Sequence, residues 1–143
     1  KDGVMIAYAS IYGNTKKAAE LLYDKLKAKG VDVIITDLAR CDMSKAISDA
    51  FAYGKLVLAT PTYNADVFPF MRTFIEGLTE RNYQKRTVAF IENGAWAPMA
   101  AKVMAGMFEK SKELNILDKT VKITCSLNDA SAAQVDELAD ELA

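Results

Sequence analysis

The 143-residue chain contains no histidine, and this absence restricts its chemistry more than any other feature of its composition. Histidine is the commonest metal ligand and the usual general base near neutral pH. Ser-His-Asp and Cys-His mechanisms are therefore impossible within the chain, and a zinc, haem or non-haem iron site is not expected. The sequence predicts neither a metal site nor a catalytic group, so demanding chemistry would need an organic cofactor.

Long apolar runs, net positive charge and cysteine are also absent or rare, and each of these facts argues against one class of protein. No apolar run approaches the roughly 20 residues that span a bilayer, so a membrane protein is not predicted. The formal net charge of −1 gives no basic field for nucleic acid. Cys41 and Cys125 are the only cysteines, and so sparse a pair indicates reduced thiols and a cytoplasmic protein.

The length predicts a single domain over residues 1–143. An apolar share of 51% and a charged share of 26% are typical of globular proteins. The chain begins with Lys1 and strand-like sequence begins by Val4. We therefore expect a domain that belongs to a longer, multidomain polypeptide.

Apolar runs alternate with helical patterns along the whole sequence. Five segments are predicted strands: Val4–Ala9, Val31–Thr36, Leu56–Thr60, Thr87–Ile91 and Val121–Cys125. The helical patterns cover Thr15–Ala28, Ser44–Tyr53, Phe68–Leu78 and Ala97–Leu114, and a capping-box match at Ser131 predicts the start of a last helix. Strands that are each followed by a helix predict an α/β fold of three layers around a five-stranded parallel sheet.

The segment Ser10-Ile11-Tyr12-Gly13-Asn14-Thr15 connects the first strand to the first helix. The first amides of a helix lack carbonyl partners and favour an anion, Gly13 permits close approach, and Ser10 and Thr15 add hydroxyl donors. The loop has no basic residue, which suits a tightly held phosphomonoester. The alternative is an ordinary strand-to-helix turn capped by Asn14 or Thr15.

Two other loops are expected beside it, because ligands of open α/β sheets bind at the carboxyl ends of the strands. In a sheet of order 2-1-3-4-5, the segments Thr60–Asn64 and Glu92–Pro98 lie on the same edge as the first loop. Tyr63 and Trp96 offer aromatic rings for stacking, and Asn64 and Asn93 offer amides. This constellation predicts a site for a flat heterocycle with a phosphate tail.

These three motifs resemble the FMN-binding loops of flavodoxin-like domains, and most of all those of the flavodoxin domain of A-type flavoproteins, or flavodiiron proteins. The resemblance spans essentially the whole chain. It implies a non-covalent FMN, with the phosphate on the first motif and the isoalloxazine between the other two. The implied cofactor-binding residues are Ser10, Ile11, Tyr12, Gly13, Asn14, Thr15, Pro61, Thr62, Tyr63, Asn64, Asn93, Gly94, Ala95 and Trp96.

The resemblance implies an electron-transfer domain that is not catalytic by itself. Electrons would pass from a reductase or rubredoxin-type donor to an acceptor such as a diiron centre elsewhere in the parent protein. Any homo-oligomer would form through that parent protein. Glu92 and Asp66 are expected either to lower the second flavin potential or to be plain solvated loop acids. Two alternatives stay open: an FMN-dependent quinone or small-molecule reductase, and a flavin-free docking module.

Overall fold

A computed structural model of the protein describes residues 3–9, 14–63, 66–67, 69–81, 83–93, 100–109, 114–117, 121–123 and 129–143. Strands and helices alternate along it as predicted. In chain order they are β1 (Val4–Tyr8), α1 (Asn14–Ala28), β2 (Val33–Asp37), α2 (Met43–Ala52), β3 (Lys55–Tyr63), β4 (Asp66–Val67), α3 (Pro69–Glu80), β5 (Thr87–Asn93), α4 (Ala100–Met107), β6 (Asn115–Ile116), β7 (Val121–Ile123) and α5 (Asp129–Leu142).

The sheet confirms the predicted 2-1-3-4-5 arrangement. Its strands follow the order β2-β1-β3-β5-β6, and β7 pairs with the same edge of β5. These pairings are parallel, whereas the two-residue strand β4 is antiparallel to β3. The fold is therefore the flavodoxin-like three-layer sandwich, with its fifth position shared by β6 and β7.

That fifth position is interrupted. Val88 pairs with Ile116 and Ile91 pairs with Val121, so β5 advances three residues while its neighbour advances five. Two extra residues on one side of a ladder cannot keep the hydrogen-bond register. The sheet is accordingly continuous on its β2 side and broken on its β6/β7 side.

Each face of the sheet carries its own core, which explains why the central strands are continuous apolar runs. Val4 and Ile6 pack with α1 and α5, whereas Met5 and Ala7 pack with α2, α3 and α4. All four are fully buried. Among the described residues, no helix has the length and apolar character needed to cross a bilayer.

The helix ends show where the sequence patterns were right and wrong. α1 ends at Ala28 as the pattern Thr15–Ala28 predicts, and the chain then turns away because Gly30 has φ +80° and Val31 N–H donates to the carbonyl of Leu26. The capping box at Ser131 is wrong, because α5 begins two residues earlier at Asp129.

The predicted helix Ala97–Leu114 is too long at its carboxyl end. α4 ends at Met107, and the N–H of Glu109 then donates to the carbonyl of Gly106 in a tighter turn. Asn115 N–H already bonds the carbonyl of Arg86, so Leu114 leads into β6. A glycine one residue before the helix end weakens the helix there.

Candidate functional site

The three predicted binding loops leave the sheet at one row of residues. Tyr8 pairs with Ala59, and Ala59 pairs with Ile91 on the next strand. One residue further on, the N–H of Ala9 donates to the carbonyl of Ala59 at 3.0 Å and Thr60 pairs with Glu92. Because the three strands are parallel, their carboxyl ends lie side by side.

The described part of each predicted motif lies at this edge. Asn14 and Thr15 begin α1, the range 61–63 ends β3, and Asn93 ends β5 directly opposite Pro61. The other predicted residues lie outside the described residues, and their roles stay predictions: Ser10, Ile11, Tyr12, Gly13, Asn64, Gly94, Ala95 and Trp96. The register therefore brings the second and third motifs into contact along the backbone.

The amino end of α1 combines a buried threonine with the absence of a carboxylate in the described first turn. The first turn of α1 contains no acidic residue, and Thr15 within it is 1% exposed. Lys16 and Lys17 follow on the exposed side of the helix. A helix start with unpaired amides, a buried hydroxyl and nearby positive charge favours a bound anion. The alternative of an ordinary turn capped by Asn14 or Thr15 stays open beside the anion site.

The second predicted loop is partly strand. β3 continues to Tyr63, and Thr62 and Tyr63 pair with Val67 and Asp66 of β4. The sequence suggested that the strand would stop at Thr60, since Pro61 cannot donate to a ladder. The antiparallel pairing with β4 supplies the missing partners for Thr62 and Tyr63. The residues predicted to hold one side of the ring therefore end a short hairpin.

Thr60 and Glu92 form a buried polar pair beneath these loops, which the sequence patterns did not predict. They are register neighbours on β3 and β5, and Glu92 is 3% exposed. Glu92 follows the apolar run Val88–Ile91, and its position at the end of such a run is the signal that was available. The alternative that Glu92 is a solvated loop acid is wrong, because its side chain is buried.

Tyr8 ties the end of β1 to β2. Its hydroxyl donates a hydrogen bond to the Asp37 carboxylate, and burial together with the charges of Asp37 and Glu20 raises the pKa of Tyr8. Asp37 also accepts the N–H of Ala39 at 3.0 Å, and the Arg40 guanidinium lies 3.8 Å from its second oxygen. The strand that leads into the first predicted loop therefore has a fixed end.

Comparison with known proteins shows to which family this chain belongs. The model of the Flavodoxin family matches residues 6–136. The chain belongs to the flavodoxin family. Members of that family typically bind a flavin, and residues 6–136 include all three motifs predicted from the sequence.

Two known proteins are similar in sequence to this flavodoxin-family chain. A protein of uncharacterised function from Methanocaldococcus jannaschii is 30% identical over 146 residues, covering 100% of this chain and 37% of that protein. Rubredoxin-oxygen oxidoreductase from Megalodesulfovibrio gigas is 29% identical over 105 residues, covering 71% of this chain and 25% of that protein. The flavodoxin-family chain thus spans little more than a third of the first relative and a quarter of the second.

Solved structures share the flavodoxin fold closely. The structure of rubredoxin oxygen:oxidoreductase from Desulfovibrio gigas has a TM-score of 0.91 at 20% identity, covering 98% of this chain and 35% of that one. The flavodiiron protein from Giardia intestinalis has a TM-score of 0.90 at 16% identity, with coverages of 98% and 35%. The predicted relationship to the flavodoxin domains of flavodiiron proteins is confirmed.

Proposed function

We propose that this protein is an FMN-binding electron-transfer domain. The phosphate would be held by Ser10–Thr15, and the isoalloxazine would lie between residues 61–64 and 93–96. The observation that carries the proposal is the shared row at the carboxyl edge, where Tyr8, Ala59 and Ile91 are register neighbours and Pro61 pairs with Asn93 just beyond. Flavin-binding members of the family and the three sequence motifs support the same cofactor.

The described residues fit the phosphate of FMN. A phosphomonoester carries close to two negative charges, and the first turn of α1 presents backbone donors, no carboxylate and the buried hydroxyl of Thr15. Charge-assisted hydrogen bonds to such an anion are about twice as strong as neutral ones. The site therefore favours FMN over riboflavin.

The chain's own residues would orient and insulate the cofactor. Bound FMN would supply the capacity to accept and release electrons. The Tyr8–Asp37 hydrogen bond fixes the strand that leads into the phosphate loop, and the β3–β4 hairpin fixes the backbone of Tyr63. Glu92 would place a buried negative charge beneath the ring loops, which disfavours adding electrons to the ring.

The donor and acceptor are proposed from the relatives. We place the domain between a reductase or rubredoxin-type donor and a diiron centre elsewhere in a longer protein, because its relatives include rubredoxin-oxygen oxidoreductase. The sequence has no histidine, and the described residues contain no cluster of three or more His, Cys, Asp or Glu suited to a metal ion. We therefore place that centre outside these 143 residues.

Cofactor titration tests the proposal. FMN added to flavin-free protein should be bound with quenching of its fluorescence, and riboflavin should bind at least about tenfold more weakly. Thr15→Val should weaken FMN binding by about tenfold while leaving riboflavin binding unchanged. Thr79→Val is the matched control, since the described bond of the Thr79 hydroxyl is to the carbonyl of Glu76 in its own helix at 3.1 Å.

Three results would contradict the proposal. A protein that is colourless as purified and takes up no FMN would be a flavin-free docking module. Equal affinity for FMN and riboflavin would show that the amino end of α1 does not hold the phosphate. Steady turnover of a quinone with NADH by the flavin-loaded chain would instead assign it to the FMN-dependent reductases.

A further inference from the structure

The strand β2 forms an open edge of the sheet. Among the described residues it pairs with β1 alone, through Val4 N–H to the carbonyl of Asp32 and Leu38 N–H to the carbonyl of Tyr8, both at 2.9 Å. In a parallel pair, alternate residues bond to a given neighbour. The even-numbered residues therefore bond to β1, and the odd-numbered residues Val33, Ile35 and Asp37 direct their backbone groups outward.

This edge has few of the features that usually block pairing between sheets. Natural edges are protected by lysine, proline, bulges or a short strand. β2 reads Val33-Ile34-Ile35-Thr36-Asp37 and stays in register with β1 at all five positions. Ile34 and Ile35 are half-buried instead of fully covered. The edge is thus flat, rich in β-branched residues and continuous.

A groove runs between this edge and α2. Its volume is about 580 Å³, and it is lined on one side by β2 and on the other by charged residues of α2 and of the turn before it. Both signs of charge line it, from Arg40 and Lys45 on the one hand and Asp42 and Asp49 on the other. A partner that carries one sign of charge alone would meet repulsion here.

We propose that a second copy of this chain pairs with β2 in an antiparallel arrangement about a two-fold axis at Ile35. Ile35 would then face the partner's Ile35, and Val33 would face the partner's Asp37. The Asp37 carbonyl already accepts the N–H of Arg40 at 3.1 Å. The outward groups of Ile35, the N–H of Asp37 and the carbonyl of Val33 remain to form the new ladder.

A two-fold axis can bring positive charges of α2 in one copy opposite negative charges of α2 in the other. Lys45 and Asp49 lie one turn apart and form an ion pair at 3.3 Å within the helix, with Lys45 largely exposed. Both residues line the groove beside Ile35, and an axis at Ile35 that also passes between them would place Lys45 opposite the partner's Asp49 and the reverse. In an isologous interface each such contact occurs twice. A second copy is therefore the partner whose charges match this groove.

Amide exchange at single-residue resolution, combined with light scattering, tests the pairing on the 143-residue chain. The N–H groups of Ile34 and Thr36 should be protected at every protein concentration, because they bond β1. The N–H of Ile35 should exchange rapidly in dilute solution and become protected as the scattering mass rises to that of a dimer. A chain that stays monomeric at millimolar concentration, or a dimer whose Ile35 amide stays unprotected, would overturn the proposal.

A charge swap gives a second test that leaves the core untouched. Lys45→Asp and Asp49→Lys should each weaken the dimer by about tenfold, because like charges then face one another across the axis. The double variant restores opposite charges and should recover the original dimerisation constant. Equal weakening by the double variant would show that α2 does not face a second copy.

Discussion

The Arg86 guanidinium donates through Nη2 to the carbonyl oxygen of Phe51 at 2.7 Å, joining the start of β5 to the end of α2. Its Nε donates to the carbonyl of Tyr53, the residue that caps α2, at 3.1 Å. The last carbonyls of a helix lack intrahelical partners, and the planar fork of arginine can bind two of them at once. A third bond, from Nη1 to the carbonyl of Gln84 at 2.8 Å, holds the preceding loop.

Replacing Arg86 should destabilise the fold more than its surface position implies. Arg86→Met would leave the α2 carbonyls without donors, and we expect the free energy of unfolding to fall by about 2–4 kcal/mol. Arg86→Lys should recover less than half of that loss, since an ammonium cannot reproduce the fork. Urea denaturation measures both variants, with Arg81→Met as control because Arg81 makes one described bond, to the carbonyl of Gly77. Equal losses for the two methionine variants would contradict this role.

Gly77 of α3 marks a close crossing with α2. A Cβ at Gly77 would lie 2.5 Å from Cδ1 of Ile47, a side chain that is itself buried. Alanine is favoured over glycine by about 1 kcal/mol in a helix, whereas forced overpacking costs about 1–3 kcal/mol. We expect Gly77→Ala to lower the stability by about 1 kcal/mol.

The double variant Gly77→Ala with Ile47→Val checks this cause, because valine lacks the atom that clashes. The two substitutions should couple favourably by at least about 1 kcal/mol in a double-mutant cycle. Gly106→Ala in α4 is the matched control, since no atom of the described residues lies within 4 Å of its Cβ position. That variant should gain about 1 kcal/mol. Additive effects of the Gly77 and Ile47 changes would mean that the helices do not meet at this point.

The Tyr83 hydroxyl is buried and has no hydrogen-bond partner within the described part of the chain. Its ring packs edge-on against Phe51, with centroids 5.2 Å apart, and beneath the Arg86 guanidinium. A buried hydroxyl without a partner costs about 1–3 kcal/mol. Tyr83→Phe keeps the ring and should therefore raise the free energy of unfolding at neutral pH by about 1–2 kcal/mol.

Tyr83 also predicts how stability changes at high pH. Burial raises the pKa of Tyr83 above its ordinary value, although the nearby Arg86 charge opposes the shift. The folded state then keeps a proton that the unfolded state releases, so stability is complete below about pH 10 and falls as the pH rises further. Denaturation at neutral and alkaline pH should show this loss in the parent and in a Tyr23→Phe control. An equal loss in Tyr83→Phe would assign it to other groups.

The buried carboxylate of Glu92 should influence a bound flavin. Glu92→Gln removes a negative charge beneath the ring loops while keeping the size of the side chain. We expect the flavin potential to become less negative by an amount on the order of 1 kcal/mol per electron. Potentiometric titration measures the shift, with Glu109→Gln as control because Glu109 is exposed beyond α4. An unchanged potential would place the Glu92 charge out of reach of the ring.

The sheet was predictable from the sequence because its strands are buried on both faces. Continuous apolar runs such as Val4–Ala9 and Leu56–Thr60 appear as β1 and the body of β3. Residues 66–67 and 115–116 gave no signal, since a two-residue strand is too short to show a period. The strand at 115–116 also depends on pairing with the distant strand β5, which local sequence does not encode, whereas the strand at 66–67 pairs within a hairpin with Thr62 and Tyr63.

The loops of the candidate site were predictable from the sequence, whereas the structure of the strand ends beneath those loops was less so. The three motifs follow strands whose ends share one row, as the predicted sheet order requires. The burial of Glu92 and the extension of β3 through Tyr63 were not predictable, because each arises from tertiary contacts with neighbouring strands. Local propensity describes which secondary structure a residue prefers, but it does not say which strands will pack beside that residue.

The break between β6 and β7 limits how far this protein can associate. A molecule with two flat edges can add subunits without end and form a fibre. Here the ladder along β5 loses its register between Ile116 and Val121. Such an irregular flank is a poor template for another strand. The proposed association through β2 would therefore close at two subunits, because the β6/β7 flank offers no regular strand edge for a third.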